Sequence, residues 1–284
     1  MTRTRREATS RRYALRFLGL ATLLAFAAFF FVPIVWLVLA PTKTAQQLVD
    51  ESPFAFGSLT TFVQSFRTMI SWEGGSLLVW LENSAVISFG GTALALLAAI
   101  PAGYGLALTQ FVGRRALLWV TLVVMIMPAN ALVLPLFLEM NVVHLVGTMW
   151  SMILPFSLFP FGVYLAYIFF SSTIPKDLLA AARIDRATEW EVFRHVALPL
   201  SAPIVAFVGF FAFVADWNNY YLPFVMTYDS TQFPIQVGLE QMVVGTPPPD
   251  RAMATLIAIT PVLILFVFAQ RTLVAGTLAG ATAD

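Results

Sequence analysis

The sequence predicts an all-α, polytopic membrane protein with six transmembrane helices, and three observations predict it. Of 284 residues, 59% are hydrophobic and 11% charged, with a mean hydropathy of +0.83; soluble domains carry roughly 25% charged residues. Apolar stretches of the length a bilayer requires, about 20 residues, lie near 15–40, 84–109, 117–138, 147–171, 200–224 and 253–275. The cations also segregate between alternate loops, as expected when Lys and Arg are retained on the cytoplasmic side.

That segregation sets the orientation. With the N-terminus inside, the inner segments hold Arg3, Arg5, Arg6, Arg11, Arg12, Arg16, Arg114, Arg115, Lys176, Arg183, Arg186, Arg194 and Arg271. The outer segments hold Lys43, Arg67 and Arg251. Both termini are then cytoplasmic, with a tail at 1–13 and one transmembrane domain over 14–284.

The first span follows a basic stretch, a pattern it shares with signal peptides. Its run from Ala14 to Ala40 exceeds the roughly 7–15 residues of a signal-peptide core, and Pro41 follows the only Ala that would end it, so it is read as a retained helix. Pro41 to Glu82 is polar enough to be an extracytoplasmic region, with Trp72 and Trp80 suited to the interface. Gly74-Gly75 divides it into two short pieces. Further on, Pro128, Pro135, Pro155, Pro160 and Pro261 remove backbone donors within or near spans and mark candidate bends.

Several kinds of chemistry are excluded. The absence of cysteine rules out disulfides, thiol catalysis and Cys-ligated metal, and a net charge of +1 gives no reason to expect nucleic acid. His144 and His195 are isolated, with no second ligand at metal spacing. No H-E-x-x-H, G-x-S-x-G or G-x-x-x-x-G-K-[ST] occurs, and neither lysine, Lys43 or Lys176, follows a glycine.

One charged, helix-forming island interrupts the apolar chain between Ile174 and Pro203, and the cation count puts it in the cytoplasm. Thr173 is placed to cap a helix in which Pro175 is early and Leu178, Ala181, Ala182 and Asp185 share one face. Thr188 and Glu191 make a T-x-x-E capping box for a second helix, with Trp190, Phe193 and Ala197 on one side and Leu198-Pro199 as its stop. The two helices meet near Asp185-Arg186-Ala187. A hairpin resting on the bilayer is one reading; a docking element for another protein is the other, and the small-residue face broken by Asp185 suits close approach.

Two further segments carry polar groups of interest. Asp216, Trp217, Asn218, Asn219 and Tyr220 combine hydrogen-bonding groups with aromatic faces, which suits sugar hydroxyls and ring faces; the same composition suits an outer interfacial belt. Val243, Val244, Gly245, Thr246 and Pro247 belong to an outer loop whose prolines would stiffen a protruding tip, or which is an ordinary solvent loop.

The island resembles the cytoplasmic signature loop of binding-protein-dependent ABC importer permeases, in which EAA is followed by three residues, Gly, nine residues, I/V, x and LP. Ala180-Ala181-Ala182, Arg183-Ile184-Asp185, Arg186, Ala187, Val196 and Leu198-Pro199 occupy those places. Ala180 stands where Glu is usual, which removes an ion-pair or cap contact with the ATPase. Arg186 stands where Gly is usual. A left-handed residue with a side chain costs roughly 1–2 kcal/mol, so either the turn is not left-handed or Arg186 gains a compensating contact with a partner.

The resemblance narrows to the carbohydrate permeases of the maltose, glycerol-phosphate and multiple-sugar type. It rests on Asn83-Ser84, Ile126-Met127-Pro128, Ile153-Leu154-Pro155, Phe159-Pro160-Phe161-Gly162, Asp216-Trp217-Asn218-Asn219, Gln270-Arg271, Gly276 and Ala279-Gly280-Ala281, in that order. It implies the type I importer permease fold with cytoplasmic coupling helices, in a multi-pass protein of a prokaryotic inner membrane. It also implies a transporter subunit for a sugar or sugar derivative, with no ATP site of its own. ATP and Mg would be bound by a cytoplasmic ATPase dimer; a second homologous permease and an extracytoplasmic binding protein complete the set. The coupling loop 173–199 would act through Ala180, Ala181, Ala182, Asp185, Arg186, Ala187, Leu198 and Pro199, and the Val243–Pro247 loop would reach the binding protein. A secondary transporter or a channel for a small polar solute is the alternative, but beyond the late Asp216 the chain shows neither internal symmetry nor midplane ionisable groups, and a channel leaves the island without a purpose.

Overall fold

The computed structural model describes residues 2–175, 179, 182, 184 and 186–281. Among these the chain is helical, without strands. It divides into two compact units, Met1–Ser71 with Val243–Leu256, and Trp72–Met242 with Ile257–Asp284.

The first unit opens with α1 (Thr2–Leu39), whose apolar stretch passes into a 3-10 turn at Ala40–Thr42. Only 6% of the apolar window in Leu15–Thr42 is buried within the protein, as suits a helix solvated by lipid. Helix α2 (Ala45–Asp50) begins in a Thr44/Gln47 capping box, and Ser58 caps α3 (Leu59–Ile70) by accepting from the Thr61 amide at 3.0 Å. Between them the chain folds tightly onto itself. Gly57 donates to Thr42 Oγ1 at 3.0 Å, and a Cβ at Gly57 would lie 2.1 Å from the Thr42 carbonyl oxygen.

The second unit is organised around α4 (Ser76–Leu108). Three consecutive left-handed residues precede it, Glu73 (φ 42°), Gly74 (φ 72°) and Gly75 (φ 97°), so the glycine pair makes the expected break at a cost in strain confined to Glu73. Helix α4 packs against α8 (Pro160–Thr173) and α10 (Ala202–Trp217). Its seam is a stripe of small buried residues four apart: Gly91, Ala95, Ala99 and Gly103. A Cβ on Gly103 would meet Ala166 Cβ at 2.4 Å and the Tyr167 backbone nitrogen at 2.8 Å. On the facing helix, one on Gly162 would meet Phe159 and Val208 at 2.7 Å. In lipid, where tails are as apolar as leucine, backbone approach of this kind supplies the van der Waals contact that holds helices together.

The end of α4 nearest its N-terminus is tied by polar contacts to the segment after Met226. Trp80 Nε1 donates to the Ser230 carbonyl at 2.9 Å, and Asn83 Nδ2 to the carbonyls of Thr231 at 2.8 Å and Phe233 at 3.0 Å. Asp229 accepts from the Thr231 amide, first among the hydrogen bonds that hold its carboxyl below the usual range. Ser84 Oγ accepts from the Ile235 amide at 2.7 Å. Ile235 opens the short helix that ends at Gln241, whose N-cap, Pro234, makes no side-chain cap hydrogen bond. Ser84 therefore satisfies an orphan helix-start donor from another helix. Ser84→Ala should leave that buried donor unpaired and cost about 1–3 kcal/mol, read as a lowered thermal midpoint of the purified protein; Ser84→Thr should recover part of the loss.

Among the described residues four helices are long and apolar enough to cross a bilayer: Leu15–Thr42, Trp72–Leu108, Trp150–Thr173 and Pro248–Gln270. The number is six if each of two bent pairs is one span. The first pair is α5 (Arg114–Ile126) with Ala129–Val142, which ends in α6 (Val133–Val142) and is followed by α7 (Trp150–Phe156); the pair is bent by 102°. The 117–138 stretch, expected as one helix, is thus broken at Met127-Pro128: Pro128 lacks a donor and drives Met127 to ψ 129°. The second pair is Glu189–Leu200 with α10, bent by 77° at Ser201. The 200–224 stretch also stops early. Asn218 donates through Nδ2 to the Val214 carbonyl at 2.8 Å and Asn219 Oδ1 accepts from the Leu222 amide at 3.2 Å, so a new short helix starts at Tyr221. Asparagine side chains that compete for backbone partners end helices in this way.

Candidate functional site

The island between α8 and α10 is the strongest candidate. Thr173 is the last residue of α8 and does not open the next helix; Ile174 and Pro175 lie outside any helix. Leu178, Ala180, Ala181 and Asp185 fall outside the described residues, whereas Leu179, Ala182 and Ile184 are helical.

The turn that follows is left-handed. Arg186 has φ +60°, and the Ala187 amide donates to the Ala182 carbonyl at 3.1 Å. A 6→1 hydrogen bond across a left-handed residue is the Schellman ending of a helix, a place where glycine carries no strain. Ala182 and Ala187, the residues at either end of that bond, both pack against the same apolar cluster, which is the contact that accompanies the motif. Arg186 thus adopts the glycine conformation with a side chain attached, and makes no ion pair to a described residue. Arg186→Gly should relieve about 1 kcal/mol of strain, read as a raised thermal midpoint.

The second limb begins with the capping box. Thr188 Oγ1 accepts from the Glu191 amide at 3.3 Å while Glu191 accepts from the Thr188 amide at 2.7 Å. Helix α9 (Glu189–Val192) passes directly into a π-helical turn, Phe193–Ala197, and then into Leu198–Leu200. Leu198-Pro199, expected to stop the helix, instead sits after a widened turn that removes the need for the proline's missing donor. Both residues are exposed.

The island is seated on the ends of three long helices. Ile174, Leu179, Val192, Phe193 and Ala197 are buried with Ala99, Ile100 and Tyr104 of α4, Ala166 and Phe170 of α8, and Ile204 and Val208 of α10. Tyr104 is the hinge of this cluster. Its ring lies 5.7 Å from Phe170 and 5.1 Å from Phe193, and its hydroxyl donates to Glu189 Oε2 at 3.1 Å. Tyr104, Glu189 and Phe170 escape a motif-based reading because their role depends on three helices meeting. On the opposite side, Ile184 (80% exposed) and Trp190 (62% exposed) are apolar and uncovered. Ala182, expected on the docking face, is half-buried and packs against the chain's own cluster.

The polar segment after α10 does not form one cluster. Asp216 and Trp217 are buried: Trp217 Nε1 donates to the Ala258 carbonyl at 3.1 Å and its ring stacks on Phe213 at 5.4 Å. Asp216 Oδ2 has no hydrogen-bond partner among the described residues and lies over α4, where a Cβ on Gly91 would be 2.4 Å away. Asn218 is exposed, while Asn219 and Tyr220 are half-buried, Tyr220 stacking on Phe224 at 5.3 Å. Val243 to Gly245 form a tight turn, left-handed at Gly245 (φ 87°) with Val244 fully outward, and Thr246 is buried. Pro247 stays in the loop beside that tip. Pro248 and Pro249 instead open the long helix Pro248–Ala281, where a missing donor costs nothing. No three His, Cys, Asp or Glu side chains among the described residues are placed to hold a metal.

Membrane-length helices, some of them broken, with a hairpin seated on the ends of three of them, define a polytopic membrane protein. The chain belongs to the family of binding-protein-dependent transport system inner membrane components, whose model matches residues 91–277. It is 32% identical over 259 residues to the arabinooligosaccharides transport system permease protein of Halalkalibacterium halodurans, covering 90% of this chain and 92% of that one. It is 31% identical to the polygalacturonan/rhamnogalacturonan transport system permease protein of Bacillus subtilis, covering 91% and 94%. A chain of a bacterial ABC transporter involved in the import of alginate superposes with a TM-score of 0.80 at 19% identity, over 93% of this chain and 97% of that one. The fold is that of an ABC importer permease, and the chain is a membrane-embedded permease subunit.

Proposed function

We propose that this chain forms half of the translocation path of an ATP-driven importer for a sugar or sugar oligomer, and that the hairpin at 173–199 is its coupling element. The observation that carries the proposal is the seating of the hairpin: its inner face is buried among α4, α8 and α10 while Ile184 and Trp190 remain uncovered. An element built in this way passes a displacement of its outer face into three helices at once. The sugar class is supported by the relatives, whose printed substrates are arabinooligosaccharides and polygalacturonan/rhamnogalacturonan.

In this reading a cytoplasmic ATPase dimer binds ATP and Mg, since the chain has no phosphate-binding loop. A second homologous permease supplies the other half of the path. An extracytoplasmic binding protein delivers the sugar, by analogy with the alginate transporter solved with its periplasmic protein. The termini and the hairpin lie in the cytoplasm, in line with the cation distribution. ATPase closure moves the hairpin, and the packed rings of Phe193, Tyr104 and Phe170 carry that motion into the spans, shifting the balance between inward- and outward-open states. Each state needs its own contacts.

Reconstitution tests the proposal: this permease, its genomic neighbour permease, ATPase and binding protein in proteoliposomes should take up an arabino- or galacturono-oligosaccharide only with ATP inside. Uptake independent of ATP or of the binding protein would overturn it. Within that assay, Asn218→Ala should lower uptake roughly tenfold, the scale of one lost polar contact of about 1.4 kcal/mol. The affinity of the binding protein should not change; full uptake would assign Asn218 to packing.

A further inference from the structure

An open cavity of about 570 Å³ lies where the chain turns from α4 into α5, lined by Gln110, Arg114, Arg115, Leu118 and Tyr167 among others. Its lining holds two cations and no acid. Arg114 is already committed: Nε donates to the Leu106 carbonyl at 2.6 Å, Nη2 to Ala107 at 2.9 Å and Nη1 to Thr109 at 3.2 Å. It closes the C-terminal carbonyls of α4 and keeps its positive charge at the cavity wall. Arg115 is exposed and makes no hydrogen bond or ion pair to a described residue. Gln110 and Tyr167, each with a neutral hydrogen-bonding side chain, belong to the same lining.

What lies beyond the cavity is apolar. Helix α5 exposes Leu117, Trp119, Val120 and Val123, and belongs to one of the bent pairs apolar enough for a bilayer. The cavity therefore asks for a ligand with an anionic, hydrogen-bond-accepting head and a hydrocarbon body. A soluble anion satisfies the cations but leaves the α5 face bare. A zwitterionic lipid covers that face but brings no net charge to two arginines.

We propose that this cavity binds the phosphate headgroup of an anionic phospholipid, held by Arg115 with Gln110 and Tyr167 and by the charge of Arg114, while its acyl chains lie along the exposed face of α5. Basic pockets between spans take anionic headgroups by the same electrostatics. The proposal rests on the membrane-embedded position of α5 and is independent of the transported sugar.

The test is native mass spectrometry of the purified importer in detergent, supplemented in turn with phosphatidylglycerol, phosphatidylcholine or inorganic phosphate. Phosphatidylglycerol should be retained about fivefold more tightly than phosphatidylcholine, the contribution expected of one arginine at a membrane surface. Arg115→Ala should abolish that preference and Arg115→Lys should keep part of it. Neither variant should shift the thermal midpoint without added lipid, because Arg115 supports no described part of the fold. Equal retention of the two lipids, or an undiminished preference in Arg115→Ala, would overturn the proposal. So would stabilisation by inorganic phosphate alone to the level given by the lipid, which would assign the cavity to a soluble anion.

Discussion

Gly103→Leu should abolish the folded permease. At this position α4 and α8 meet backbone to backbone: a Cβ would lie 2.4 Å from Ala166 Cβ, 2.8 Å from the Tyr167 nitrogen and 2.9 Å from the Ala166 carbonyl carbon. No rotamer change relieves a clash with main chain, so the two helices must separate. Separation would also open the apolar cluster, in which Ala99, Ala166 and Phe170 have no exposure at all. Overpacking of this kind costs about 3 kcal/mol or more, enough to leave little protein in the detergent-soluble monodisperse fraction and to lower its thermal midpoint. Gly105 gives the contrast within the same turn. Its Cβ would find its nearest neighbour at 4.0 Å, the Thr109 hydroxyl, so Gly105→Ala should stabilise the helix by about 0.5–1 kcal/mol. A Gly103→Leu protein as stable as Gly105→Ala would show that α4 and α8 do not meet in this way.

The same glycine marks the limit of what was legible beforehand. Hydropathy and cation counting suffice to recognise apolar spans, because lipid and loop charge act on each segment separately. The four-residue spacing of Gly91, Ala95, Ala99 and Gly103 is present in the sequence too, but small residues are common in apolar helices and the spacing becomes meaningful only against a partner. The capping box at Thr188 and Glu191 was readable because capping is local. The break at Met127-Pro128 was half-readable: proline announces a bend, whereas its 102° depends on what replaces the lost hydrogen bond. Asp216 shows the opposite failure. Its neighbours Trp217 to Tyr220 look like one polar-aromatic site, yet consecutive residues at the end of a helix point in different directions, and Asp216 and Trp217 turn inward while Asn218 turns out.

For the hairpin, inward and outward faces decide which substitution tests coupling. Sequence spacing points to Ala182 as the docking position, but Ala182 packs on the cluster beneath the hairpin, so a charge there would disturb the permease itself. Ile184 is the informative residue. It is helical, 80% exposed, and two residues before the left-handed Arg186 that fixes the direction of the turn. Leu179, Val192 and Phe193 of the hairpin are buried, whereas Ile184 and Trp190 are its most exposed large apolar side chains among the described residues, which makes them the expected anchors of a protein contact. Ile184→Glu should therefore weaken association with the ATPase by at least about 2 kcal/mol, or about thirtyfold. The readout is ATPase retained on affinity-purified permease, together with loss of transport-linked ATP hydrolysis, while the thermal midpoint of the isolated permease stays unchanged. Ala182→Glu should give the reverse pattern, a destabilised permease. Undiminished ATPase retention by Ile184→Glu would move the contact off the hairpin tip and leave its burial against α4, α8 and α10 as the whole of its role.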